Sequence, residues 1–91
     1  MNSEKMTDVI RRKLTDAFAP ISLEIEDESK KHAGHAGARA GGESHFRVRI
    51  ISAAFTGQNQ VARHRAVYGA LAEEMREKIH ALALDTKTPQ E

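Results

Sequence analysis

The sequence contains no cysteine and no tryptophan, and only three phenylalanines and one tyrosine among 91 residues. Without cysteine, disulfides, zinc–thiolate centres and a thiol nucleophile are excluded, and any metal held by this chain alone must be held by His, Asp or Glu. The scarcity of aromatics implies a modest core, because a domain of this length buries only about 60–65% of its unfolded surface. No apolar run approaches the length of a membrane span, and the N-terminus lacks the apolar stretch of a signal peptide. Glu4 and Asp8 also argue against an organelle presequence, which is usually poor in acids. Nor is there an excess of one charge: the formal net charge is +1, so nothing in the overall balance demands nucleic acid or an anionic membrane. These absences lead to the expectation of a single domain (1–91), soluble and cytoplasmic, with no membrane partner.

What is present is periodicity. Met6, Val9, Ile10, Leu14, Ala17 and Phe18 make one helical stripe, with Asn2 or Ser3 as the expected cap and Pro20 as the stop, since its ring pushes Ala19 out of helical geometry. Ile21 to Glu26 alternates, which predicts a strand with Ile21, Leu23 and Ile25 facing inward. Residues 27–44 lose all periodicity and carry Gly34, Gly37, Gly41 and Gly42, so a long flexible loop is predicted. Ser44 to Ile51 alternates again and aims Phe46, Val48 and Ile50 at a core. Gly57 breaks the chain, and a helix capped by Asn59 is expected to follow, with Val61, His64, Tyr68, Leu71 and Met75 on one stripe and Arg63 and Arg65 flanking it. A division of this helical region near 57–63 into a short and a long piece is also expected. Ile79 to Leu84 reads as a last short strand with His80 at its mouth, and 86–91 as a short tail. Helices on one face of a small sheet make an α+β domain.

Several of these strings together closely resemble the BolA family: Glu43-Ser44-His45-Phe46-Arg47-Val48, Phe55-x-Gly57, Arg63-His64-Arg65-x-Val67-Tyr68 and Ile79-His80-Ala81-Leu82-Ala83-Leu84, with Leu23 to Ser29 upstream. The resemblance covers almost the whole chain. It implies an αββααβ order, a three-stranded mixed sheet and a likeness to the type II KH domain. A KH module grips nucleic-acid backbone with a Gly-x-x-Gly loop, and Gly57-Gln58-Asn59-Gln60 lacks the second glycine, so that mode of RNA binding is disfavoured.

No pair among His32, His35, His45, His64 and His80 has the i, i+4 spacing of a helical metal site, and no Ser/His/Asp arrangement stands out, so enzymatic catalysis is not expected. Pattern alone gives His64 and His45 structural roles. The resemblance changes the reading of His80, because the family is known for a histidine there that helps bind a [2Fe–2S] cluster shared with a monothiol glutaredoxin. It also implies a second ligand in the loop between the first two strands, which is His32 by position, with His35 as the alternative. An imidazole can replace thiolate on one iron of such a cluster and raises its potential. A cysteine-free chain then relies on the partner and glutathione for sulfur ligands, so no cofactor is expected in the isolated chain, which is expected to be a monomer or weak homodimer. The competing expectation is DNA binding by the Arg63-His64-Arg65 helix region with Lys30 and Lys31, and Arg47 and Arg49 nearby. This too is implied by the resemblance, since some family members are described as transcriptional regulators of stress response and cell morphology.

Overall fold

The computed structural model describes residues 5–28 and 45–91, in the order α1 (Met6–Phe18), β1 (Ser22–Asp27), β2 (His45–Ile51), a single 3-10 turn (Ala53–Phe55), α2 (Gln60–Ala70), α3 (Ala72–Glu77) and β3 (Ala81–Lys87). The strands form one sheet in the order β1-β2-β3, with β1 antiparallel and β3 parallel to β2. The α+β class and mixed sheet expected from the sequence are present.

Alternation in β2 sorts its side chains cleanly. Phe46, Val48 and Ile50 are buried while Arg47 and Arg49 are exposed. The buried three meet Ile10 and Leu14 of α1, Phe55 of the 3-10 turn, and Val67 and Leu71 from the α2–α3 region, so both helical layers cover the same sheet face. The other face is a charged surface. Across it the register aligns Glu24, Arg49 and Asp85 in one row and Glu26, Arg47 and Ala83 in the next. Opposite charges set directly across strands stabilise the pairing modestly.

Helix α1 begins behind Lys5, whose side chain makes no capping bond; the expected caps Asn2 and Ser3 lie outside the described residues. The helix ends where expected, with Ala19 leaving helical geometry, but Ala19 adopts the left-handed region (φ 43°, ψ 55°) rather than an extended one. Its N–H still donates to the Thr15 carbonyl at 3.0 Å. The Phe18 carbonyl accepts from Ser52 Oγ at 2.6 Å, tying the helix end to the end of β2. The first strand starts one residue late, so Ile21, expected inside, is 70% exposed.

The second helical region departs from expectation in two ways. The break falls at Leu71 (φ −111°, ψ 22°), not between 57 and 63, where only the 3-10 turn and Gly57 (φ 83°) precede an uninterrupted α2. Asn59 caps as predicted, its Oδ1 accepting from the Ala62 N–H at 2.8 Å. The buried face is also rotated from the expected stripe: Arg63, Val67 and Leu71 are inside, while Val61 is 59% and Tyr68 37% exposed. The physical reason is Arg63. Its aliphatic stem packs inward while its guanidinium finds partners on the far side of the helix, which a pattern that turns every charge outward does not register.

The break at Leu71 lets α3 reach α1, where Lys13 Nζ bonds Glu74 at 2.6 Å and Glu73 at 3.5 Å. Burial pushes the Glu74 carboxyl up, but the bond from Lys13 and a backbone N–H outweigh it, so the net shift is downward. The other oxygen, Glu74 Oε1, is buried without a hydrogen-bond partner.

β3 runs on to Lys87, so the tail begins at Thr88 rather than at 86. That tail turns back onto α2. Because Lys87 gives its carbonyl to Ser52 on the β2 side, alternate residues of β3 turn theirs to the opposite edge. There Tyr68 Oη donates to the Leu82 carbonyl at 3.1 Å, and Arg63 Nη1 and Gln60 Nε2 donate to that of Thr86 at 3.2 and 3.4 Å.

Candidate functional site at the histidine end of the sheet

His45 is the first residue of β2, and the parallel register sets it opposite Ala81, the first residue of β3. His80 is the residue before Ala81, so the chain leaves both imidazoles at the same end of two neighbouring strands. Their ring centroids are 6.1 Å apart with the planes at 81°. His80 is exposed and His45 half-buried. The antiparallel partner β1 finishes at this end too: Asp27 lies opposite Phe46, and the Glu28 N–H donates to the His45 carbonyl at 2.8 Å. Glu28 and His45, the described residues on either side of 29–44, are therefore both at the sheet end that carries His80. Glu28 itself is held by its carboxylate, which pairs with Arg47 Nε at 3.2 Å.

His80 thus sits at a strand mouth and in reach of solvent, as its position before an alternating apolar run predicts. His32 and His35, with Lys30 and Lys31, lie outside the described residues. His45, read from pattern alone as structural, is the second imidazole at this end of the sheet. Its signal in the sequence is weak, since a histidine at a strand start gains meaning only once the register places another strand mouth beside it.

Of the expected basic surface, Arg63 is turned inward, while Lys30 and Lys31 lie outside the described residues. Arg63 is 5% exposed, and its guanidinium donates to the Gln58 carbonyl at 2.8 Å, the Thr86 carbonyl at 3.2 Å and both carboxylate oxygens of Glu91 at 2.8 Å. Such a fork-to-fork pair is among the stronger polar contacts available to a side chain. Glu91 also accepts from the Thr88 N–H at 3.1 Å. The Arg63 bond first, and the Thr88 N–H second, pull the Glu91 carboxyl down to about 2. Arg63 is consequently a fold-holding residue with its donors engaged, not a phosphate contact. Arg65 is exposed on α2. Arg47 and Arg49 project from the sheet face away from the helices, among Glu24, Glu26 and Glu28, with Arg49 3.9 Å from Glu24. His64 is half-buried on α2. Among the described residues no helix is long and apolar enough to cross a membrane.

Residues 14–91 match the BolA family profile, described as BolA-like protein. The DNA-binding transcriptional regulator BolA of Escherichia coli is 48% identical over 82 residues, covering 90% of this chain and 74% of that protein. SufE-like protein 1 of Arabidopsis thaliana, a chloroplastic/mitochondrial protein, is 46% identical over 86 residues, and the matched region is 90% of this chain but only 23% of that one. Among solved structures, BolA1 from Arabidopsis thaliana superimposes with a TM-score of 0.84 at 42% identity, covering 97% of this chain and 96% of that one.

Proposed function

This chain belongs to the BolA family, and from that membership we propose that it is a non-catalytic, cytoplasmic partner of a monothiol glutaredoxin that shares a labile [2Fe–2S] cluster with it, for trafficking or for sensing iron and redox state. The observation that carries the reading is the position of His80: an exposed imidazole at a strand mouth, beside the two chain ends from which segment 29–44 departs. The donor set of this end of the sheet fits such cargo. His80 supplies one nitrogen ligand and His32, or alternatively His35, a second, while sulfur ligands come from the glutaredoxin and glutathione. Nitrogen ligation raises the cluster's potential relative to all-thiolate ligation. Each imidazole must also shed its proton to coordinate, so acid favours release.

The test is visible circular dichroism of the protein mixed anaerobically with a [2Fe–2S]-loaded monothiol glutaredoxin and glutathione. A new spectrum is expected for wild type, lost in His80→Ala with far-UV dichroism unchanged, and altered in His32→Ala or His35→Ala. An unchanged glutaredoxin spectrum with no complex formed would reject the reading.

The name of the E. coli relative favours a second reading, DNA binding in transcriptional regulation. With Arg63 engaged by Glu91, the candidate phosphate contacts are Arg65, Lys30 and Lys31. Three neutralised phosphates give a log–log salt slope near about −2.7, and Arg65→Ala should flatten it by about 1. An affinity indifferent to salt would remove DNA from consideration.

A further inference from the structure

The parallel register does more than bring His80 to the sheet end. It supplies a second imidazole on the adjacent strand, fixed by ladder hydrogen bonds rather than carried on a loop. Two imidazoles bound to one tetrahedral ion have metal–nitrogen bonds of about 2.0–2.1 Å, which sets their ring centroids about 5–5.5 Å apart. The observed 6.1 Å is about an ångström or less beyond that separation, and the 81° between the planes keeps the rings from colliding as they close on one ion. The terminal torsion of histidine is broad and His80 is exposed, so its ring can turn toward an ion shared with His45.

We propose that His45 and His80 together form a site for one borderline divalent cation of the Zn2+ or Co2+ class, assembled by the sheet itself without a partner chain. Neutral imidazole nitrogen is a preferred ligand for these ions. Among the described residues no third His, Asp or Glu converges with the pair, so water fills the other positions and the ion stays exchangeable. The site does not depend on the glutaredoxin reading. Where that reading also holds, a cation on His80 and a cluster on His80 exclude one another, and free divalent metal becomes a competitor of cluster transfer.

The experiment titrates the full chain with Zn2+ in competition with a chromophoric chelator, and follows the imidazole nitrogens by NMR. One ion per chain is expected, with His45 and His80 nitrogens shifting together. His45→Ala and His80→Ala should each weaken binding at least about tenfold, since even loss of a supporting residue around a metal ligand costs that much. His64→Ala serves as the control and should bind as wild type. Wild-type affinity in His45→Ala, or imidazole shifts confined to His80 and a loop histidine, would overturn the proposal. If His45→Ala does not fold, the paired shift in the wild-type spectrum decides. Absence of Zn2+ binding alongside normal cluster formation with glutaredoxin would reject this site and leave the cluster reading standing.

Discussion

Two backbone positions make the same demand, a positive φ, but only one of them holds glycine, so exchanging their residues should move stability in opposite directions. Ala19 sits at φ 43°, ψ 55°, a region that costs an L-residue with a Cβ about 1–2 kcal/mol. Gly57 sits at φ 83°, and a Cβ built there meets nothing within 4 Å, so a side chain at that point would pay torsional strain and no steric clash. Ala19→Gly relieves the strain but gives the unfolded chain more freedom, an offset of about 0.4–1 kcal/mol. The net is a stabilisation of about 0.5–1 kcal/mol. Gly57→Ala reverses both terms and should destabilise by a similar amount. For a domain of this size each kcal/mol is about 4–8 °C in Tm, so thermal melts by far-UV circular dichroism should separate the two variants by several degrees around wild type. If Ala19→Gly melts below wild type, the reasoning fails: the helix end would then be held by Pro20 and the Ser52 bond to Phe18, with Ala19 torsion irrelevant.

The remaining predictions concern α2 and the tail. Asn59→Ala removes the cap on Ala62 and should cost about 1 kcal/mol in urea unfolding, with no change expected for Gln58→Ala, whose side chain makes no such bond. Arg63→Met should lower Tm by more than Asn59→Ala, because it removes the Arg63 donors to the Gln58 and Thr86 carbonyls and the paired bond to Glu91, leaving Thr86 only Gln60 and Glu91 only the Thr88 N–H, whereas Arg65→Ala should leave Tm unchanged; equal effects would mean that Arg63 does not hold the tail. Glu91, whose pKa falls from 4.5 to about 2 in the folded chain, contributes stability that is fully present above the ordinary carboxylate range and lost as pH drops toward 2. The Tm difference between wild type and Glu91→Gln should therefore be widest above about pH 5 and close towards pH 2, and a gap constant with pH would refute the assignment.

Much of the fold was legible because the relevant patterns are local. Phe46, Val48 and Ile50 alternate within one strand, Met6, Ile10 and Leu14 repeat within one helix, and Asn59 caps a donor three residues away. Arg63 was not legible, since its partner Glu91 is 28 residues distant and nothing local marks an arginine as inward. Ile21 misled for a related reason: alternation sets which residues share a face but not where a strand begins. The candidate site divides the same way. His80 stood out from its place before an apolar run and from the family likeness, while the meaning of His45 arises only from a parallel pairing across an intervening pair of helices.

The bonds along the outer side of β3 carry a consequence for behaviour at high concentration. A bare strand margin is a template on which the next molecule can lay its own backbone and start a fibril. Here Tyr68 occupies the Leu82 carbonyl, Arg63 and Gln60 that of Thr86, and Glu91 the N–H of Thr88, so the margin is stoppered at intervals by side chains of the same chain. A neighbour meeting β3 finds those acceptors already spoken for. Loss of Arg63 would therefore unplug a polymerisation edge as well as loosen the tail, and its first visible symptom in the cell would be inclusion bodies.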